Sequence, residues 1–321
     1  MDNNSQPLVS VIMPAYNCEK YIRQAINSIL NQTYNNFEFL ISDDGSIDNT
    51  RKIIDSYTDP RIKRFHQDDN IGYLQTWNRL MEKAHGEYIT FQDADDYSTH
   101  ERLYKLIEAF NIDTNTNIGA IGSNFCSVND KDKILFKSNF SLYYSCISKS
   151  ISNKWEVLGS GIMIKREVYN EIGGYNEFFD RIGGEDLYWI YLISKKFIIK
   201  NIPDYLYHYR FNPNSVMGDL SLNPEKIVVS EVLNEIINKN ENEGISLEKN
   251  SKYFHDMKST LIENIENLNG GILAYIGRRR FYEGHKFLGL KFSFKAIFTA
   301  SNKMVQTRDF LYLLKSTLIK K

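Results

Sequence analysis

The apolar positions of this chain fall into two alternating rhythms. Short runs at 9–13, which is rich in β-branched residues, and at 37–41, 62–65, 87–92 and 118–123 read as strands. Between them, apolar residues recur at helical spacing. Ile22, Ile26, Ile29 and Leu30 mark one helix face, which Asn17 is expected to cap with Glu19 in the first turn. A second helix is expected over 48–57. Tyr73, Leu74, Trp77, Leu80, Met81 and Ala84 mark a third, stopped near Gly86, and a fourth runs over 99–111. This alternation predicts an α/β fold: a mostly parallel sheet with helices on both faces. In such sheets ligands bind outside the carboxyl ends of the strands. The rhythm loosens beyond 125. Stretches 161–165, 197–200 and 205–209 read as strands, and a helix over 187–194 follows Gly183-Gly184-Glu185-Asp186. From 217 the pattern is helical, at 225–238 and 253–268. Two domains are therefore expected, an α/β domain over 1–216 with halves at about 8–124 and 125–216, and a helical region over 217–321.

Composition changes this picture little, and charge changes it more. At 42% hydrophobic and 25% charged, the 321 residues are ordinary for a globular protein. Cys18, Cys126 and Cys146 are scattered without metal-type spacing, as expected of reduced thiols in a cytoplasmic protein. The opening residues lack the basic segment and long apolar run of a signal peptide. No stretch reaches the roughly 18 apolar residues that span a bilayer. The net charge of −1 hides an asymmetry: residues 272–321 carry eleven Lys/Arg, including Arg278, Arg279 and Arg280, against Glu283 and Asp309. These cations are interleaved with Phe281, Leu288, Phe292 and Phe298. Such helices either pack as a bundle with cations toward water or lie on an anionic membrane surface. No nucleic-acid motif accompanies the basic region, so no nucleic-acid partner is expected.

Residues 91–98, FQDADDYS, place Asp93, Asp95 and Asp96 within four positions at the end of an apolar strand. Carboxylates this close repel unless a positive group stands among them. Two readings fit: a solvated acidic turn, or a site where a hard cation such as Mn²⁺ or Mg²⁺ bridges a diphosphate. Asp43-Asp44 also ends a strand, so the two groups are expected to line one crevice. Glu185-Asp186 either cap a helix N-terminus or supply a proton acceptor. Rival enzyme classes lack their marks. A nucleotidyltransferase needs a glycine-rich loop where Met13-Pro14-Ala15-Tyr16-Asn17 stands. A dinucleotide oxidoreductase needs G-x-G-x-x-G, which is absent. A phosphatase with an Asp nucleophile would carry it after the first strand.

Residues 10–50, SVIMPAYNCEKYIRQAINSILNQTYNNFEFLISDDGSIDNT, resemble the opening of family 2 glycosyltransferases. The resemblance continues through Asn70-Ile71-Gly72, Gly86-Glu87-Tyr88-Ile89, Asp93-Ala94-Asp95, Gly161-Ile162-Met163-Ile164, Ile172-Gly173-Gly174-Tyr175, Gly184-Glu185-Asp186 and Tyr209-Arg210, covering about 8–215. It implies a GT-A fold and inverting transfer from a nucleotide-sugar, with a nucleotide-binding half followed by an acceptor half. It implies that Pro14, Ala15, Tyr16 and Glu19 cradle the nucleotide and that Asp44 accepts the uracil N3–H. It further implies that Asn70 and Gly72 pass near the nucleotide, that Asp93 and Asp95 are the DxD pair with Asp95 on the metal, and that Asp186 is the base. One departure stands out. The family often reads Tyr-Arg-x-His, and Asn212 takes the histidine's place here. His208 lies on the same side of its strand as Arg210, and is either a substitute ligand or a core residue. Arg210 suits a diphosphate clamp. Glu185 and Trp189 are expected near the acceptor, although Trp189, like Trp155, equally suits the core. The implied partners are a nucleotide-sugar donor, UDP-linked by preference, and a glycan or lipid-linked acceptor in surface polysaccharide, capsule or lipopolysaccharide synthesis. The implied place is cytoplasmic, peripheral at the inner face of the membrane. The non-enzymatic rival is a nucleotide-binding scaffold of the same fold without turnover.

Overall fold

The computed structural model describes residues 6–112, 117–144, 157–211, 224–266, 273, 277, 286–299 and 303–318. The chain divides into two compact units, Met1–Asp219 and Leu220–Lys321.

The first unit begins with β1 (Val9–Ala15), α1 (Ile22–Leu30), β2 (Phe37–Asp44), α2 (Thr50–Asp55), β3 (Ile62–Gln67), α3 (Tyr73–Lys83) and β4 (Tyr88–Phe91). These strands pair in the order β3-β2-β1-β4, all parallel. Every residue of β1 and β2 is buried, as a parallel sheet covered on both faces requires. On one face Val9, Val11 and Met13 share a core with Ile22, Ala25, Ile26 and Ile29 of α1. On the other, α3 packs through the buried Leu74, Trp77, Leu80 and Met81.

The second half mixes strand directions. It comprises β5 (Tyr97–Ser98), α4 (Arg102–Ile112), β6 (Ile118–Val128), β7 (Ile134–Lys137), β8 (Tyr143–Tyr144), a 3₁₀ turn at Gly159–Gly161, β9 (Met163–Lys165), α5 (Arg166–Ile172), a second 3₁₀ turn at Glu177–Phe179, α6 (Glu185–Lys196) and β10 (Ile198–Arg210). The sheet continues β4-β9-β6-β10-β5. Strand β9 runs antiparallel to both its neighbours, while β10 is parallel to β6 and antiparallel to β5.

Three local expectations change. Asn17 does not cap α1, which starts at Ile22 without a side-chain cap. Instead Asn17 has φ 49°, its N–H donates to Ser46 Oγ at 2.9 Å, and its Oδ1 accepts the Ile47 N–H at 3.0 Å. Glu19 lies outside the first turn as well, because its Oε2 accepts from the Asn49 N–H and Nδ2 at 3.0 and 2.7 Å. A tertiary partner across the loops replaced the local cap that sequence spacing suggested. The stretches 197–200 and 205–209 join into one strand, β10. Its ladder with β6 shifts register between Ile202 and Tyr205 and again between Tyr205 and Tyr207, around Pro203, which has no N–H to give a ladder. Gly161 belongs to the 3₁₀ turn, and its strand starts at Met163.

The second unit is helical where described: Pro224–Glu243, Ser251–Glu266, Lys286–Thr299 and Lys303–Leu318. Phe294 and Phe298 are exposed with ring centroids 5.3 Å apart, and Lys291 and Lys295 of the same helix are exposed. Among the described residues, no helix is long and apolar enough to cross a membrane. Cys146, Trp155, Asn212, Arg278, Arg279, Arg280, Phe281, Glu283 and His285 lie outside the described residues.

Candidate functional site

Strands β1, β2 and β4 end on one edge of the sheet, with Ala15 opposite Asp43 and Ile12 opposite Phe91. Pro14 and Ala15 are the last residues of β1, and Tyr16 follows them exposed. Asp44, 2% exposed, spends its carboxylate on the next loop. Oδ1 accepts from the Ile71 N–H at 2.9 Å and Gln67 Nε2 at 3.1 Å, and Oδ2 accepts from the Gly72 N–H at 3.0 Å. Asn70 Nδ2 adds a bond to the Asp44 carbonyl at 3.2 Å. Gly72 offers its N–H from φ 99°, a conformation open to glycine. The adjacent Asp43, 1% exposed, has no partner for either carboxylate oxygen. The order of two aspartates in sequence does not say which one the fold leaves unpaired.

The second acidic group forms where β4 ends. Burial, reinforced by the charges of Asp95 and Asp186, pushes Asp93 up to about 7. Residues 93–95 and the start of α6, far apart in sequence, flank one turn: Ser160 is hydrogen-bonded to Asp93, and its neighbour Gly159 lies against Asp186. Burial raises Asp95 and Asp186 too. Burial and the Asp186 charge push Glu185 up to about 8, and its Oε2 is buried without a partner. The backbone of the 3₁₀ turn lies against Asp186: a Cβ added at Gly159 would stand 2.6 Å from its Oδ2. Tyr73 Oη reaches Asp93 Oδ1 at 3.4 Å, and Tyr207 Oη accepts the Asp93 N–H at 3.0 Å. Neither tyrosine is marked by its sequence neighbourhood.

Asp96 turns away from this group. Its Oδ1 accepts the Arg210 N–H at 2.6 Å, and burial with the charges of Asp93 and Asp95 holds its carboxyl well above the usual range. The Arg210 guanidinium, 2% exposed, is engaged on every side. It donates to the Asp95 carbonyl at 2.9 Å, the Asn129 carbonyl at 2.9 Å and Gln24 Oε1 at 2.7 Å, and pairs with Asp132 at 2.8 Å. His208 stacks on Tyr97 at 4.4 Å with its Nδ1 buried and unpartnered, and burial lowers its pKa, favouring neutral imidazole. Trp189, 2% exposed, sits in an aromatic cluster with Trp77, Phe91 and Tyr175, and its Nε1 donates to the Gly173 carbonyl at 2.8 Å. A second arginine, Arg102, lies fully buried beneath the aspartates. Its signal was present in the sequence: helical spacing puts it on the face of Leu103, Leu106, Ile107 and Phe110, where an arginine is out of place unless bonded.

The chemistry of the acidic group is that of a hard-cation ligand set. Its donors are carboxylate oxygens, and burial with mutual repulsion lifts Asp93 and Glu185, a cost that a cation between carboxylates relieves. Among the described residues no three His, Cys, Asp or Glu side chains converge at metal-binding distance, so such an ion needs further oxygens from a ligand.

The sequence profile described as Glycosyl transferase family 2 matches residues 10–173. An uncharacterized glycosyltransferase of Haemophilus influenzae is 44% identical over 105 residues, 32% of this chain and 42% of that protein. Glycosyltransferase GlyG of Streptococcus pneumoniae is 32% identical over 235 residues, 65% of this chain and 73% of GlyG. The Escherichia coli UDP-Glc:alpha-D-GlcNAc-diphosphoundecaprenol beta-1,3-glucosyltransferase WfgD is 44% identical over 89 residues, 28% of this chain and 35% of WfgD. The matches thus span between about a third and three quarters of these relatives. Among solved structures, S. aureus TarS residues 1–349 in complex with UDP-GlcNAc superposes with a TM-score of 0.61 at 19% identity, over 90% of this chain and 80% of that one. This likeness shows the fold to be of the GT-A type.

Proposed function

Given that the chain belongs to glycosyl transferase family 2, we propose that it transfers a sugar from a UDP-sugar to a hydroxyl of a glycan or lipid-linked acceptor, with inversion, in surface polysaccharide synthesis. The observation that carries this reading is that Asp93, beyond the end of β4, and Asp186, at the start of α6, flank the same turn, Ser160 bonded to the one and Gly159 against the other. The UDP-GlcNAc held by the TarS neighbour and the donor and acceptor in the name of WfgD support the substrate classes.

The roles follow from what each group has left to give. A carboxylate can only accept hydrogen bonds, so it selects a base with an N–H donor. Asp43 has both oxygens free, whereas those of Asp44 are committed. Asp43 therefore reads the uracil edge, and Asp44 holds the segment of Asn70 and Gly72 beneath the nucleotide. Pro14 and Ala15 at the end of β1 and Tyr16 and Glu19 in the loop after it form the facing side, Glu19 by tying that loop to Asn49. Asp95 and Asp93 would hold Mn²⁺ or Mg²⁺ together with diphosphate oxygens; His208 is stacked on Tyr97. When bound, such an ion neutralises the charge growing on a diphosphate leaving group. Asp186 takes the proton of the attacking hydroxyl. Its burial raises its affinity for that proton, which brings a weak base closer to the working pH. Glu185, held protonated by the same neighbourhood, has a hydrogen bond to give to the acceptor. Direct attack opposite the leaving group inverts the anomeric centre and needs no carboxylate nucleophile. Arg210 acts from behind, bracing the Asp95 carbonyl, and Trp189 backs the acceptor side as a packed wall. The exposed Phe294 and Phe298 with Lys291 and Lys295 support peripheral contact with an anionic membrane.

The test is thermal stability against a panel of nucleoside diphosphates with and without Mn²⁺. A ligand at about 100 times its Kd adds about 2.7 kcal/mol. UDP is expected to stabilise strongly only with Mn²⁺, and Asp95→Ala is expected to remove the metal's share. Equal stabilisation by every nucleotide, or none by UDP, would sink the donor assignment.

A further inference from the structure

Beneath the acidic crevice lies a charged group that the proposed chemistry does not use. Arg102 opens α4 and is 0% exposed. Its Nη2 donates to Thr90 Oγ1 at 2.7 Å, the Phe91 carbonyl at 2.8 Å and the Ser160 carbonyl at 3.1 Å. Its Nη1 donates to Ser98 Oγ at 2.9 Å and stands 3.5 Å from Gln92 Oε1. The guanidinium lies 5.1 Å from the centroid of the Tyr207 ring. Several of these contacts lead on to Asp93 or to the turn beside Asp186 within one or two further bonds. Thr90 Oγ1 donates to the Ile162 carbonyl at 2.8 Å, and Ser98 Oγ donates to Gln92 Oε1 at 2.7 Å. Gln92 Nε2 donates to the Asp93 carbonyl at 3.1 Å, and Tyr207 Oη accepts the Asp93 N–H. The Ser160 side chain is itself hydrogen-bonded to Asp93. Its neighbour Gly159 carries the backbone that abuts Asp186.

We propose that Arg102 is a positioning residue that clamps the strand end bearing Asp93 to the Gly159–Gly161 turn beside Asp186, and so sets the spacing across the crevice. The two carboxylates reach the crevice on separate elements, β4 and α6, and the turn is the piece between them. The fork spreads these bonds over two nitrogens, Nη2 taking Thr90, the last carbonyl of β4 and the turn carbonyl while Nη1 takes Ser98; an ammonium is a single point charge on a flexible stem and does not span both sets. A full positive charge this deep carries a large desolvation cost, and the aspartates above it offset part of that cost by attraction. Burial lowers the Arg102 pKa to about 10, so the group stays charged at neutral pH. It is part of the positive charge that the FQDADDYS aspartates call for.

This inference rests on the transferase reading for its kinetic arm only. Arg102→Lys keeps a cation and loses the fork. Amide hydrogen exchange is expected to speed at least about tenfold at residues 91–95 and 159–162, with distant segments unchanged. In turnover of a UDP-sugar, kcat is expected to fall about 10²-fold, as misplacement by an ångström costs, while the donor KM stays within about threefold. Unchanged exchange and kcat in folded Arg102→Lys would overturn the role, as would a kcat loss that merely tracks the unfolded fraction. Thr90→Val removes one acceptor of the fork and leaves the arginine in place, so it serves if Arg102→Lys does not fold. It is expected to speed exchange at the turn, and no change there overturns the role. The exchange arm needs no substrate. A wild-type protein inert toward every UDP-sugar would therefore count against the donor, while exchange still decides Arg102.

Discussion

Two acidic groups stand at strand ends on either side of β1 in the same sheet, and the fold treats them oppositely. Asp44, at the end of β2, is given two backbone N–H groups and a glutamine amide. Asp93, beyond the end of β4, is given Asp95 and Asp186, and its pKa rises to about 7. The residue type and the place in a strand are alike. What differs is the element that comes back to meet each carboxylate: a loop offering amides at one, a helix start offering more acid at the other. A satisfied carboxylate holds structure together, whereas a set of opposed carboxylates stores unfavourable energy that a bound cation or substrate can release.

The sharpest way to break this comparison is at Asp186. Asp186→Asn keeps the shape and removes the proton acceptor; kcat is expected to fall about 10²–10⁴-fold with UDP affinity within threefold. Isothermal titration beside a transfer assay checks both halves, and full activity would end the assignment of the base. Next comes the β2 pair. Asp44→Ala strands buried N–H groups, so chemical denaturation is expected to show a loss of about 1–3 kcal/mol. Asp43→Ala removes no internal bond and is expected to leave stability unchanged or higher while weakening UDP binding about tenfold, the worth of a charge-assisted hydrogen bond. If the two variants behave alike, the division of labour within the pair is wrong.

A smaller effect is in pH. Asp93 and Glu185 hold protons in the folded state that they lose in the unfolded state, where each has its ordinary value. The folded form thus binds more protons over this range, and stability falls as pH rises from about 4 toward 8. The melting temperature without metal is expected to drop across that window, and saturating Mn²⁺ with UDP is expected to flatten the drop. Glu185→Gln should remove part of the slope; a slope unaltered by both would mean that the acids are not opposed as described. Smallest is the second unit: Phe298→Asp is expected to reduce sedimentation with anionic vesicles several-fold while transfer to a soluble acceptor is unaffected.

Much of this was legible in the residues. Helical and strand periodicity gave the parallel half nearly element by element, because a strand buried on both faces or a helix buried on one leaves its period in the chain. Asp93 and Asp95 drew notice as acids at the end of an apolar strand, whereas Asp186 was singled out by the family resemblance, since residue type alone suits a helix cap equally well. The second half was less readable. Strand β10 looked like two strands because Pro203 interrupts it, and only its pairing with β6 carries it across the bulges. Asn17 offered a good local cap, and a loop thirty residues on claimed its side chain first.

By itself, then, the sequence determined the fold class, the order of the elements and the presence of an acidic crevice, since these depend on residue type and on spacing within a dozen positions. The tertiary structure decided what each charge meets. It left Asp43 bare and Asp44 bonded, enclosed the guanidinium of Arg210 among Asp95, Asn129, Gln24 and Asp132, and set Arg102 under the aspartates. The energy of a buried charge depends on partners a few ångströms away, and those partners come from segments that may lie a hundred residues apart in the chain.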